Sequence, residues 1–541
     1  MHETSDESFT VWPKEAAERY RRAGHWAGRT FDDLLTSWAR ERPRRVALVV
    51  GDRTWTYGEL HAEATQLAAG LRALGISAGE RVLLQLPNSA EFVLAWFALQ
   101  RLGAVPVHAL PAHRASEIRA LIQESGAVAH LIPDRHQRFD YRPMAAGVLA
   151  DEPSLHHVLV CGEPGSEPGL TSLDELRRAD TAPLPDRPAP PSAIAALLLS
   201  GGTTGRPKLI PRTHDDYAYN ARTSAEAAGL TERSVYLAIL PVGFNFTFAC
   251  PGILGTFAAG GTVVIAPDPS PQTAFDLVER HGVTITAIGP TLVPHWLDEA
   301  RHRPAGLGSL EVLQVGGARL PEQLARQLGE ELGVTVQQVF GMAEGLVCVT
   351  GLDDPPELIR TTQGRPISPS DEVRVVAPDG REVADGEQGE LLARGPYTIR
   401  GYYRAPEHNA RAFTEDGFYR TGDLVRRLPS GHLIVTGRSK DQINRAGEKI
   451  AAAEVEEHLI THPAIRAAAL VAAPDETWGE RPVAFVVCDA PAPSSRELAG
   501  FLRDRGLAAF KAPDQVLPVD ELPLTPLGKV DKKALRARLK A

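Results

Sequence analysis

Residues 197–214, LLLSGGTTGRPKLIPRTH, run an apolar segment straight into Ser200, Gly201, Gly202, Thr203, Thr204 and Gly205, with Lys208 three residues further on. Adjacent glycines let successive backbone N–H groups turn toward one anion, hydroxyls add donors, and a lysine adds charge. That is phosphate-holding chemistry. It is not the Walker arrangement, which needs Gly-Lys followed at once by Ser or Thr so that a hydroxyl reaches magnesium. Here Gly205 is followed by Arg206, Pro207 and Lys208, and the proline removes a backbone donor. A flexible surface loop would have the same composition, so the stretch alone leaves both readings open.

The elements around it follow from periodicity. TYGELHAEATQLAAGLRALG carries Leu60, Ala64, Leu67, Leu71 and Leu74 at helical spacing. In the next segment Val82–Leu86 reads as a strand, Ala90–Leu102 as a helix and Val105–Val107 as the start of another strand, with Asn88 and Glu91 spaced as a capping box. The same alternation returns at TVVIAPDPSPQTAFDLVERHGVTITAIGPTLV. Strand–helix–strand alternation predicts largely parallel sheets covered by helices. After about residue 370 the character changes: DEVRVVAPDGREV reads as a hairpin turning at Asp379-Gly380, and GELLARGP and GHLIVTGR continue as short strands. From 441 onward a helix, two strands and a further helix make a tail of about 100 residues, large enough for a domain. The expectation is an α/β protein: a large N-terminal body (1–438) of several subdomains, with parallel sheets and a small β-barrel-like part, and a small α+β C-terminal lid (439–541), joined near Lys440.

Composition narrows the function. The chain has 541 residues, 43% of them hydrophobic and 23% charged, with a net charge of −10. An acidic balance argues against a nucleic-acid surface, which needs clustered Lys and Arg. No apolar run approaches the roughly 18–20 residues that span a bilayer, and the polar, acidic start is unlike a secretory signal; cytoplasm is the default. The four cysteines, Cys161, Cys250, Cys348 and Cys488, lack the spacing of a disulfide framework or zinc site. No Gly-x-Gly-x-x-Gly opens a helix after a strand, which excludes a dinucleotide-dependent dehydrogenase. A small-molecule partner remains.

Four more segments follow the loop in order: QQVFGMAEG (337–345), FYRTGDLV (418–425), GRSKDQINRAGEKI (437–450) and LPLTPLGKVDKKAL (522–535). Together the five resemble the adenylate-forming superfamily of acyl-CoA ligases, luciferases and nonribosomal-peptide adenylation domains, over essentially the whole chain. Within it, SGGTTGRPKLIPRTHDDY, QVFGMAEG and GPYTIRGYY most resemble the stand-alone aryl-acid ligases of siderophore pathways, the 2,3-dihydroxybenzoate– and salicylate–AMP ligases. The resemblance implies ATP and Mg²⁺ as cofactors, with Ser200 to Lys208 wrapping the β- and γ-phosphates and Phe340 stacking on adenine beside Gly341 and Met342. It implies Glu344 as the Mg²⁺ ligand, since a hard cation favours carboxylate oxygen. Gly316, Gly317 and Ala318 would let a flat ring lie against the backbone. Asp423 would accept from both ribose hydroxyls, a task suited to a forked charged acceptor, with Arg438 assisting. Lys529 would stabilise charge as a carboxylate oxygen attacks the α-phosphorus, acting by electrostatics and positioning. The lid would then rotate about Lys440 and bring NRAGEK, ending at Lys449, toward a pantetheine thiol.

For the acid, the resemblance points to LPVGFNFTFACPGILG (240–255). Asn245 would hold the ortho-hydroxyl or carboxylate. Cys250 falls where salicylate enzymes tend to have Cys and dihydroxybenzoate enzymes Ser; a weakly polar thiol suits a bare ring edge. Phe246, Val339 and Val347 would line the remaining walls. The chain departs from the pattern at Phe244, where His is usual, and at Thr247-Phe248, where Pro-Leu is common, which predicts a more aromatic pocket entrance. Salicylate, a substituted salicylate, an aminobenzoate and hydroxypicolinate all remain open. The implied activity is formation of an aryl-AMP and transfer of the acyl group to the phosphopantetheine thiol of an aryl carrier protein. An aryl-CoA ligase using free coenzyme A, or a non-catalytic protein of the same fold, are the alternatives.

Overall fold

The β-branched runs that end in glycine-rich turns form parallel strands, and the amphipathic stretches between them form the covering helices. A computed structural model describes residues 9–178, 184, 189–200, 208–317, 320, 322–438, 442–488, 491–523 and 530–539. Among these, strands assemble into sheets of nine, seven, five, four and two. In the nine-stranded sheet the order is Arg365–Pro366, Val347–Val349, Thr335–Gly341, Val312–Gly316, Ile285–Ile288, Val235–Ala238, Thr262–Ile265, Val46–Val50 and Arg53–Thr56. Its six central strands pair in parallel and both margins are antiparallel. The seven-stranded sheet runs Lys208–Thr213, Ile194–Ser200, Val105–His108, Arg81–Leu84, Ala127–Pro133, His157–Cys161 and Leu170–Ser172. The strands on either side of the Gly/Ser/Thr loop are therefore neighbours in one sheet.

Helix Ala90–Leu102 is apolar on every face, and all but two of its residues are buried, as such a helix must be. Trp96, Phe92 and Phe97 on it belong to the main core with Phe31, Tyr57 and Phe257; full burial of such a side chain stabilises by about 1.5–3 kcal/mol. The capping box expected at Asn88 and Glu91 does not form: Ser89 is the N-cap and makes no side-chain cap. Asn88 instead donates to the carbonyls of Leu240 and Ala266 and accepts from the Val242 N–H. Three buried backbone groups outweigh one helix end, and this contact pins the start of segment 240–255.

The barrel-like part is a four-stranded antiparallel sheet, Glu372–Val376, Gln388–Arg394, Tyr419–Arg427 and Leu433–Arg438. The turn at Asp379-Gly380 forms, but the strand that pairs with Glu372–Val376 is Gln388–Arg394; residues past the turn contribute a single bridge, Val376 to Glu382.

Packing divides the chain into two units, the larger comprising Met1–Pro111, Ile122–Leu199 and Leu209–Thr436. The smaller contains Gly437–Ala541 and also Ala112–Leu121. Its five-stranded sheet is built on the long hairpin Ile465–Asp475 and Gly479–Cys488, extended by Gln442–Arg445 and by Gln515–Pro518, with helices Ala452–Leu459 and Ser495–Asp504 over a core of Ile443, Val455, Leu470, Val486 and Leu498. The protein is α/β, with parallel sheets in a large N-terminal body and a small C-terminal domain. No helix among the described residues is long and apolar enough to cross a membrane.

Candidate functional site

Two parallel neighbours, Val312–Gly316 and Thr335–Gly341, end side by side, with Gly316 in register with Val339. Open parallel sheets present ligand sites at the carboxyl ends of their strands, and the residues singled out for the aryl pocket converge there. A Cβ on Gly316 would stand 3.0 Å from the Phe246 ring and 2.8 Å from the Val339 carbonyl oxygen, so only glycine lets that ring lie on the strand. Strand alternation turns Val339 toward a cluster with Cys250, Val347, Tyr219 and Tyr397, against which Phe246 packs. Phe340, one residue on, packs on the opposite cluster of Leu346, Cys348, Val375 and Leu391, and Met342 joins it there. Gly341 pairs with Val347 across the antiparallel margin.

Asn245 begins the short helix Asn245–Ala249, with Phe244 as its N-cap. Its Oδ1 accepts from the Tyr217 hydroxyl at 2.9 Å, and its Nδ2 donates to Cys250 Sγ at 3.4 Å. Asn220 Nδ2 donates to the Ala249 carbonyl at 2.8 Å and to the same sulfur at 3.5 Å. Burial pushes the Cys250 thiol above its ordinary pKa, against the opposing amide donors, so it remains a thiol. Phe248 does not add to the expected aromatic entrance, which leaves that part to Phe244. Two positions from Phe246 on a helix, Phe248 points away, and its fully buried ring packs edge-on against Phe92, Trp96 and His108 in the core. Thr247 is buried as well.

Glu344 lies in a tight turn: the Gly345 N–H donates to the Met342 carbonyl and the Met342 N–H to that of Leu346. A Cβ on Gly345 would come within 2.4 Å of Thr398 Cα, so the turn requires glycine. The Ile399 N–H binds the Glu344 carbonyl at 2.8 Å, and Arg212 Nη1 binds that of Ala343 at 3.0 Å. The Glu344 side chain is buried; Oε1 accepts from the Tyr402 hydroxyl at 2.7 Å, and Oε2 accepts from no described residue. One carboxylate oxygen left unengaged fits a hard divalent cation that takes its other ligands from phosphate and water. Among the described residues no group of three or more metal-ligating side chains gathers, at Glu344 or anywhere else.

Asp423 is buried on Tyr419–Arg427, where the register with Gln388–Arg394 slips between Glu390 and Leu392. A bulge of this kind re-aims side chains, and Gly422 beside it has φ +72°. Gly317 also takes a positive φ, 85°. Lys208 opens the strand Lys208–Thr213. Gly201, Gly202, Thr203, Thr204, Gly205, Ala318, Lys440 and Lys529 lie outside the described residues, as do the side chains of Ser200, Arg438 and Lys449.

Arg212, Asp216, Tyr217, Tyr397 and Tyr402 stand inside the motifs, where residue spacing assigns them no task. Arg212 is fully buried; its Nε donates to Asp216 at 2.6 Å, Nη2 reaches the Tyr397 carbonyl, and the guanidinium lies 4.7 Å from the Tyr217 ring centroid. One side chain thus braces both the Glu344 turn and the tyrosine that holds Asn245. Arg212 and Asp216 four apart at a helix start were the only sequence signal.

Two adjoining clusters, one apolar with a polar floor and one around the buried Glu344 carboxylate, suit an enzyme that activates a carboxylate with a nucleotide. The family model of AMP-binding enzymes matches residues 35–403, and that of the AMP-binding enzyme C-terminal domain matches 454–529. The chain belongs to the AMP-binding enzyme family of adenylate-forming ligases. It is 52% identical to the 2,3-dihydroxybenzoate-AMP ligase of Bacillus subtilis strain 168, over 98% of this chain and 97% of that one. It is 49% identical to the salicyl-AMP ligase/salicyl-S-ArCP synthetase of Mycobacterium tuberculosis, over 98% and 94%. The apo structure of Mycobacterium smegmatis MbtA superposes with a TM-score of 0.76 at 47% identity, covering 98% and 99%.

Proposed function

We propose that the protein activates a salicylate-like aryl carboxylic acid with ATP, releasing pyrophosphate, and then passes the acyl group to the phosphopantetheine thiol of an aryl carrier protein. The setting would be cytoplasmic siderophore or other nonribosomal peptide biosynthesis. The observation that carries this reading is the convergence of Asn245, Phe246, Cys250, Val339 and Val347 on the bare backbone of Gly316. Phe246 and the valines grip the ring faces, Asn245 orients the acid through its amide, and Cys250 borders a ring edge.

Catalysis on this reading is mainly placement. The acid's carboxylate oxygen forms a bond to the α-phosphorus and the bond to pyrophosphate breaks; the carrier's thiolate then displaces AMP from the acyl carbon. The loop Ser200–Lys208 holds the departing phosphates, Phe340 the adenine, and Asp423 with Arg438 the ribose. Glu344 would hold a magnesium ion, which when bound would supply positive charge to the phosphates. Lys529 sets an ammonium between the two anions that must meet. The expected N-terminal body, 1–438, and lid, 439–541, would hinge at Lys440, delivering Lys529 for the first step and the segment ending at Lys449 for the second.

The test is acid-dependent ATP–pyrophosphate exchange with salicylate, 2,3-dihydroxybenzoate, aminobenzoates and hydroxypicolinate side by side. Exchange with salicylate above that with dihydroxybenzoate is expected, and no exchange with any aryl acid would overturn the reading. Acyl transfer to a carrier protein should exceed transfer to free coenzyme A; the reverse preference would make the protein an aryl-CoA ligase.

A further inference from the structure

Glu344 is held by more than its own turn. The Tyr402 hydroxyl has one proton and donates it to Oε1, so in the 2.8 Å contact between Tyr402 and Tyr419 the donor is Tyr419. The two rings cross at 69° with centroids 6.3 Å apart, and Phe413 closes against both. Asn409 fixes the Tyr402 backbone from both sides: its Oδ1 accepts from the Tyr402 N–H at 2.8 Å and its Nδ2 donates to the Tyr402 carbonyl at 2.9 Å. Both tyrosines are buried.

We propose that Tyr402, backed by Tyr419, is a positioning residue for metal binding: it ties down Oε1 of Glu344 so that Oε2 alone is presented to a divalent cation on the nucleotide phosphates. The inference rests on the reading of Glu344 as the metal ligand given above. A carboxylate with both oxygens unengaged can rotate or chelate a cation through both, drawing it toward the protein and away from the phosphates. A charge-assisted hydrogen bond to one oxygen removes that freedom, and partners of this kind orient metal ligands generally.

The experiment compares binding of a non-hydrolysable ATP analogue with Mn²⁺ against binding of AMP without metal, by calorimetry, in the parent protein and in Tyr402→Phe and Tyr419→Phe. Tyr402→Phe should weaken the Mn²⁺-dependent complex about tenfold, the lower end of the effect of removing such a partner, and leave AMP unchanged. Tyr419→Phe should show a smaller loss of the same kind, and it tests the relay even if Tyr402→Phe does not fold. In exchange assays the Mg²⁺ concentration for half-maximal rate should rise with the aryl-acid KM unaltered. Unchanged Mn²⁺–nucleotide binding in both variants, or an equal loss of AMP binding, would overturn the proposal. A parent protein whose nucleotide affinity gains nothing from Mn²⁺ would instead remove the metal role of Glu344 on which it rests.

Discussion

Cys250 accepts from two side-chain amides, Asn220 and Asn245, and Asn245 is in turn held by the Tyr217 hydroxyl. The polarity of the pocket floor therefore belongs to a chain of side chains. Cys250→Ser puts a stronger donor at the ring edge and should raise exchange with 2,3-dihydroxybenzoate relative to salicylate by about fivefold, the scale of one added hydrogen bond with net worth near 1 kcal/mol; competition between the two acids measures it. Tyr217→Phe leaves Asn245 Oδ1 without its donor, and the aryl-acid KM should rise while the ATP KM holds; steady-state kinetics with each substrate varied will show the split. Lys529→Ala should cost adenylation about 2.7–4 kcal/mol, as loss of one transition-state donor does elsewhere, with an unaltered unfolding curve. A variant reacting at the parent rate would remove Lys529 from the mechanism.

At the scale of elements, the helix beginning at His214 does more than cover a sheet. Its Thr213–Asp216 capping box shares Asp216 with Arg212, and Arg212 reaches the carbonyls of Ala343 and Tyr397. The pair is wholly excluded from water. Arg212→Met leaves the Asp216 charge buried without its partner, a change that destabilises by about 3–5 kcal/mol; urea unfolding should show it, together with weaker metal-dependent nucleotide binding as the Glu344 turn loosens. Were Arg212 only a fold element, the stability loss would come without the binding loss.

For the molecule as a whole, buried titratable groups set the pH response. Burial depresses His108 and His113 to about 4 and His130 and His214 to about 3, so each is neutral in the fold. In the unfolded chain each takes a proton near pH 6.5. The unfolded state then binds more protons between roughly pH 3 and 6.5, and the stability these histidines contribute, complete above that window, falls as the pH drops through it. Asp371, raised by burial to about 7, works the other way: its contribution is complete below its unfolded pKa and is lost as the pH climbs toward neutrality. Glu448, also raised by burial to about 7, adds to Asp371, and four strongly depressed histidines against these two carboxylates predict a net loss of stability on acidification from pH 7 to 5, measured as a lower urea midpoint. His130→Gln should flatten that dependence, and Asp371→Asn should steepen it.

Local pattern carried much of this. The alternation of apolar and amphipathic segments determined the parallel sheets and covering helices, because side-chain periodicity and backbone geometry are coupled within a few residues. The ordered motifs determined the family, and with it which Lys, Glu and Asp to suspect. Only the tertiary structure decided what those residues touch. Asn88 left a helix cap for the loop at 240–242, Phe248 turned into the core while Phe246 faced Gly316, and Tyr402 and Tyr419 met on Glu344 from 58 and 75 positions along the chain. Such contacts depend on which buried polar group finds a partner once distant strands are side by side, and residue spacing alone does not encode that competition.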